Sequence, residues 1–330
     1  MPVSRDRATV KHRRATVEDV ARVAGTSTAV VSYVLNNGPR NVAPLTRSRV
    51  LDAIESLGYV KNRAAATLRG TQMQVIGLIV PDAATAFFGT FRRAIEAECF
   101  DRDLILVTSS SAFDAEREAV TAARLQSLPV DALVVVSGGD DDVAVNFSSP
   151  VAYLHRGPSG STIRLDNYAA GRLALTHVLE HGHRDLLLVA GMQSGPLAER
   201  ERGWGEVLAE EGLQGRVLRT SRDRHEVIRE VRDALDSLPH VTAVVCATDE
   251  QALGAMTAAA SLGRPAPQIS IVGIDGVPEG ETTFPVLASV TTPFAAMAKR
   301  VLEAIVDGKH GEHNVFAPSL RTGGTVGRVA

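Results

Sequence analysis

Thr28, Ala29, Ser32, Tyr33 and Asn36 stand at i, i+1, i+4, i+5 and i+8, which lays five small or polar side chains along one stripe of a helix. Hydroxyl, phenol and carboxamide groups in such a stripe supply donors and acceptors for base edges, and small residues let the helix sit deep in a major groove. Val30, Val31, Val34 and Leu35 fall on the other side and give that helix an apolar back. A second set of residues has a different chemistry. Asp275 follows the apolar run Ser270–Ile274, and Thr248 and Asp249 follow Val244–Ala247. A carboxylate just past the end of a buried strand faces a cleft, where it can accept two hydroxyl hydrogen bonds.

Catalytic and metal-binding patterns do not accompany these groups. No G-x-S-x-G elbow, P-loop, H-E-x-x-H or G-x-G-x-x-G stands in register with a strand, and Gly191-Met-Gln-Ser194-Gly195 has the wrong spacing for a nucleophile. Cys99 and Cys246 lie in unrelated apolar stretches and read as buried free thiols of a reducing compartment. His181 and His183 suit a helix-end cap, and His310 and His313 a polar surface loop. Neither an enzyme, nor a cofactor, nor a metal site is therefore expected.

The elements that position the polar stripe are short and well marked. Thr16-Val-Glu-Asp19 reads as a capping box, Val17, Val20, Ala21 and Ala24 make an apolar face, and Gly25 closes the helix. Ser27 can cap the stripe-bearing helix. A third helix begins at Pro44, repeats Val50, Ala53, Ile54 and Leu57, and ends at Gly58. Two helices joined by a glycine turn, with a third behind them, make a helix-turn-helix whose second helix enters the major groove. Charge follows the same division. Residues 1–70 hold 12 Lys/Arg against 5 Asp/Glu, a surplus of +7, whereas the remaining residues carry −10. A basic head on an acidic body fits contact with phosphate by the head alone, though a solvated basic face has the same composition.

Beyond the head, strand-length apolar runs at Val75–Val80, Leu104–Thr108, Ala132–Val136, Val151–Leu154, Leu186–Ala190, Val244–Ala247 and Ser270–Ile274 alternate with helical patterns such as Thr90–Arg102, Ala115–Leu125, Ala169–His181 and Glu250–Leu262. This alternation predicts an α/β body with parallel sheets, long enough for two doubly wound subdomains facing a cleft. Trp204, among Val207 and Leu208, reads as a core residue.

Literal motifs sharpen this. Thr16-Val-Glu-Asp-Val-Ala21, Ala24-Gly25-Thr-Ser27, Val31-Ser-Tyr-Val-Leu-Asn36, Thr46-Arg-Ser-Arg-Val50, Leu57-Gly58-Tyr59 and Asn62-Arg63-Ala64-Ala65-Ala66-Thr67-Leu68-Arg69 resemble the lactose/galactose repressor family. In the body, Ile76-Gly-Leu-Ile-Val-Pro-Asp82 with Phe87-Phe88, Asp166-Asn-Tyr-Ala-Ala-Gly171, Gly182-His183-Arg184, Arg200-Glu-Arg-Gly-Trp204, Thr248–Met256 and Val272-Gly-Ile-Asp275 follow in family order. The resemblance implies that Thr28 and Ala29 set operator preference and that Ser32 and Asn36 make backbone and groove contacts, with Thr16, Ser27, Tyr33 and Thr46 beside them. It also implies a hinge over residues 62–69 that becomes helical on DNA. Asn62, Arg63 and Ala65 lie in that hinge, and Leu68 would enter the minor groove as a wedge; a plain linker helix is the alternative. For the body it implies a fold like that of periplasmic sugar-binding proteins, with an effector held by Arg200, Asp275, Thr248 and Asp249, Phe88 as an apolar wall, Phe87 in packing, and His155 at a place where the family often has aspartate. An ion pair between subdomains is the alternative for Arg200 and Asp275.

Departures from the family pattern are Tyr33 for arginine, Lys61 for proline, Ala43 for a capping serine or threonine, Ala86 for proline, and Leu320-Arg-Thr-Gly-Gly324 for an apolar last strand. The expected organisation is a flexible basic arm (1–15), the helix-turn-helix (16–60), a hinge (61–72) and an effector-binding and dimerisation body (73–330). Within the body, one subdomain spans about 73–163 and 293–325 and the other about 164–292. The expected protein is a cytoplasmic homodimer, with no signal peptide or membrane span, that binds pseudo-palindromic operator DNA and responds to a small, sugar-like molecule. A transport-type sugar-binding protein without a DNA role is the alternative; it fits the body but not the basic helical head.

Overall fold

The Thr16 hydroxyl opens the first helix, α1 (Val17–Val23), by accepting from the Asp19 N–H while the Asp19 carboxylate accepts from the Thr16 N–H. The helix ends in a Schellman arrangement: Gly25 has φ +61°, its N–H reaches Arg22 O, and the Thr26 N–H reaches Ala21 O. Ser27 Oγ accepts from the Val30 N–H at 3.4 Å and starts α2 (Thr28–Leu35). Then α3 (Pro44–Leu57) closes over both. Val20, Ala21, Ala24, Val31, Val34, Val50, Ala53 and Tyr59 form the core of this head.

This computed structural model describes residues 15–35, 42–57, 59, 73–136, 145–155, 162–191, 195–221, 223–308 and 314–329. They divide into two compact units, one up to Gln72 and one from Met73 onward. The proposed basic arm up to Arg14, the hinge, Gly58, and the residues Asn36, Lys61, Asn62, Arg63, Ala65, Leu68, His310 and His313 lie outside the described residues.

In the second unit, two six-stranded sheets repeat one topology. The first takes β1 (Val75–Val80), β2 (Ile105–Ser110), β3 (Ala132–Val136), β4 (Val151–Leu154), β5 (Thr162–Leu165) and β11 (Val315–Phe316) in the order β11-β5-β4-β3-β1-β2. The second takes β6 (Leu186–Ala190), β7 (Arg216–Arg219), β8 (Ala243–Cys246), β9 (Ser270–Asp275), β10 (Ala288–Thr291) and β12 (Ser319–Arg321) in the order β12-β10-β9-β8-β6-β7. All pairings are parallel except β10 with β12. Helices cover both faces. α4 (Ala86–Phe100), α5 (Ala115–Gln126) and α10 (Phe294–Val306) serve the first sheet, and α6 (Asn167–Glu180), α7 (Gly195–Glu210), α8 (Arg224–Ser237) and α9 (Asp249–Ser261) the second. In each sheet the strand order reverses beside its first strand, where doubly wound folds leave a crevice at the carboxyl ends of the strands.

Among the described residues the chain passes between the sheets three times: at Asp166, at Thr292–Pro293 and between β11 and β12. The third passage corrects the expectation that the chain crosses last near Thr291–Pro293 and stays with the first sheet to 325. Ser319–Arg321 pairs antiparallel with β10, Thr325 bridges Ile271 O and the Ala288 N–H, and Gly327 bonds Ser270 and His183. Only this last strand runs against its neighbour, because it arrives from the opposite sheet by a short connection rather than by a helical crossover.

Candidate functional site

The head presents its stripe outward. Ser27, Thr28 and Ala29 are exposed, Ser32 and Tyr33 are partly exposed, and directly behind them Val31 and Val34 are buried. A helix that keeps small polar groups in water over a buried valine back is a surface built for another molecule's polar edges. Arg47 and Arg49 are exposed on α3 and Thr46 is partly exposed. Thr16 has a second duty, because its hydroxyl also donates to Asp19 Oδ2 at 3.0 Å. These bonds, with that from Arg22, hold the Asp19 carboxyl down at about 2, the backbone bond from Thr16 contributing most.

In the body, the sequence-predicted Arg200 and Asp275 are brought together inside the second subdomain, not across the cleft as an ion pair between subdomains. Arg200, on the second turn of α7, and Asp275, the last residue of β9, are 3% and 5% exposed, and Arg200 Nη1 donates to Asp275 Oδ1 at 2.9 Å. The same nitrogen donates to Ala247 O at 2.5 Å, just past β8, and Nε donates to Asn167 Oδ1 at 2.9 Å. Asp275 has φ +146°, which a side chain rarely adopts, so this carboxylate is held in a strained backbone by its surroundings. Burial pushes its carboxyl up to about 7; the Arg200 charge opposes this and the Asp249 charge adds to it. A guanidinium from α7 and a carboxylate at the end of β9, held against each other, can together offer donors and acceptors to paired hydroxyls.

Thr248 and Asp249 both have partners within the protein. Thr248 Oγ1 accepts from the Gln251 N–H, and Gln251 Oε1 accepts from the Thr248 N–H, a capping box that occupies the threonine at the start of α9. Asp249 is wholly buried. Its Oδ1 accepts from Ser289 Oγ at 2.6 Å, and its Oδ2 accepts from the N–H groups of Gly276 and Val277 at 2.9 Å each. A Cβ on Gly273 would stand 2.2 Å from Asp249 Oδ1, so the glycine makes room for this carboxylate. Gly276 and Val277 form the turn just after Asp275 and Ser289 lies on β10, so Asp249 holds that turn against the neighbouring strand.

Aromatic rings gather at the strand ends of the first sheet. His155 follows β4 with φ +65°, and Phe87 stacks at 5.4 Å from it, 5.3 Å from Phe88 and 5.3 Å from Phe294. Phe88 packs on the first-sheet core and beside Phe113, and Phe87 lies against His155 and Phe294. His155 Nδ1 is buried without a hydrogen-bond partner, and burial together with the Arg200 charge holds this histidine down at about 4. His155 is therefore neutral near pH 7.

Asn167 and Ser289 were not singled out from the sequence. Asn167 sits inside the quoted Asp166–Gly171 motif, which gave a signal of position but not of role; nothing marked Ser289. Trp204 is wholly buried, and His181 caps α6, as expected. Among the described residues no group of His, Cys, Asp or Glu could hold a metal ion, and no helix is long and apolar enough to cross a membrane.

Comparison with known proteins agrees with this two-part design. Residues 16–62 match the bacterial regulatory proteins of the lacI family, and residues 175–328 match a periplasmic binding protein-like domain. The transcriptional regulator GalS of Salmonella typhimurium is 31% identical over 320 residues, 92% of each chain. CelR of Thermobifida fusca is 30% identical over 323 residues, 92% of this chain and 94% of that one. The lac repressor bound to ONPG in its repressed state superposes with a TM-score of 0.82 at 25% identity, covering 95% of this chain and all of the other. With the outward polar helix and the two-sheet body already in place, these matches identify the chain as a member of the lacI (lactose/galactose repressor) family of DNA-binding transcriptional regulators.

Proposed function

We propose that this protein is a homodimeric repressor that reads a pseudo-palindromic operator with α2 and answers to a small polyhydroxyl molecule, sugar-like in chemistry, held near Arg200 and Asp275. The observation that carries this reading is the exposure of Ser27, Thr28 and Ala29 over the buried Val31 and Val34. A two-fold dimer presents two such helices one duplex turn apart, and Leu68 from each hinge enters the minor groove between half-sites. Support for the ligand class comes from the paired guanidinium and carboxylate, and from the relatives. CelR has been seen in complex with cellobiose, in a structure that superposes with a TM-score of 0.67 at 25% identity, and several relatives are named transcriptional repressors. A ligand that prefers one arrangement of the subdomains changes operator affinity by its differential affinity, about 1–3 kcal/mol in typical cases. The protein acts on cytoplasmic DNA and has no catalytic step.

Selection of tight binders from a pool of random duplexes, using the purified full chain, tests the DNA reading. A pseudo-palindromic consensus is expected. Recovery of duplexes with no shared sequence refutes the reading. A thermal-shift screen of neutral sugars against the same protein tests the ligand class.

A further inference from the structure

Arg200 is a long side chain with many accessible rotamers, yet it must be held in one orientation to meet Asp275. Its backbone is fixed by an interlock of α6 and α7. A Cβ on Gly171 would lie 2.0 Å from Arg200 O, and one on Gly203 would lie 2.4 Å from Tyr168 O, so only glycine permits this approach of the two helices. Its guanidinium is fixed by Asn167, which is 1% exposed and is the first residue of α6. Asn167 Oδ1 accepts from Arg200 Nε at 2.9 Å, and Asn167 Nδ2 donates to Leu165 O, the last residue of β5, at 3.1 Å. The amide has one workable orientation, since the flipped form would set NH2 against the Nε–H and oxygen against a carbonyl. Nε–H direction sets the plane of the guanidinium, and with it the aim of Nη1 at Asp275 and Ala247 O.

The same region ties to the first passage between subdomains. Asp166, the residue before Asn167, donates its N–H to Phe316 O of β11, and Arg164 of β5 pairs with Glu199, the neighbour of Arg200, at 3.0 Å. Two successive residues of α7 thus reach back to the strand that leaves the first sheet.

We propose that Asn167 is the positioning residue of the Arg200–Asp275 pair, fixing the guanidinium plane and tying it to strand β5 at the first passage between the subdomains. A ligand that displaces the pair then pulls on a side chain bonded to that passage; this last consequence alone rests on the ligand reading above, and the positioning does not.

The test uses the 15N-labelled full chain and the Arg200 Nε–H signal, assigned by its loss in Arg200→Lys. In the unmodified protein this proton is expected to exchange at least tenfold more slowly than that of an exposed arginine. Asn167→Ala should remove the protection and raise the Asp275 titration midpoint, whereas Asn167→Asp, which keeps the acceptor and loses the donor to Leu165 O, should keep the protection. A packing role alone would not separate the two variants in this way. An unprotected Nε–H in the unmodified protein, or equal behaviour of the Ala and Asp variants, overturns the proposal. If the Ala variant fails to fold, the unmodified protein and the Asp variant still decide. The measurement contains no ligand, so a sugar screen without a hit would count against the ligand reading only.

Discussion

The two candidate recognition regions of this molecule are built on opposite physical terms. α2 keeps its working groups in water and buries only its back, so the partner must supply the desolvation. The Arg200–Asp275 cluster is almost wholly buried, and its partners come from the protein itself: Asn167 and Ala247 O for the guanidinium, and the Asp249 N–H for the second carboxylate oxygen of Asp275. Exposed polar groups cost the fold little and can vary freely. A buried ion pair is held by neighbours that cannot be removed singly without leaving a charge uncompensated.

Substitutions should separate the two regions, beginning with the largest effect. Arg200→Met leaves Asp275 buried without its cation and should lower unfolding stability by about 3–5 kcal/mol at pH 8, read by urea denaturation. The loss should be smaller at pH 5. Asp275 titrates at about 7 in the folded chain against a usual 3.8, so its contribution is full below 3.8 and is lost as pH rises through 7. A loss equal at both pH values would contradict a buried Asp275 carboxylate. Gly171→Ala should lower stability by about 1–3 kcal/mol through the clash with Arg200 O, and a neutral result would break the interlock argument. Thr16→Ala removes the α1 cap at about 1 kcal/mol and so marks where a head residue does serve the fold. Thr28→Ala should leave stability within about 0.5 kcal/mol and yet weaken operator binding by about 1–3 kcal/mol. Loss of stability without loss of binding would reverse the comparison. The smallest effect is expected at His155. Held near 4, it adds stability that is complete above its usual 6.5 and lost as pH falls toward 4, so His155→Gln should flatten the decline of Tm over that interval.

The same contrast decides what was legible beforehand. α2 was readable because exposure and burial on one helix follow a period that sits in ten consecutive residues. β1, β3, β4 and β6 were readable to the residue because fully or nearly buried strands are continuous apolar runs. β7 (Arg216–Arg219) is an exposed edge strand, and β12 is three residues of mixed polarity, so neither has such a run. The Arg200–Asp275 cluster was legible only as separate candidates. Asn167 and Arg200 meet across 33 positions and Ser289 and Asp249 across 40, and local pattern says nothing about contacts at that range. Asp249 shows the same limit: its position at a strand end is legible, whereas its hydrogen bonds to the turn at Gly276 and Val277 are not.

The claim on which the account turns is that α2 lies in the major groove and reads bases with its first residues. The most direct measurement exchanges Thr28 and Ala29 for other small polar pairs and repeats the selection from random duplexes. The account predicts a consensus altered at a few symmetric base pairs in each half-site, with spacing and symmetry unchanged. An unaltered consensus would show that the stripe on α2 does not read the operator.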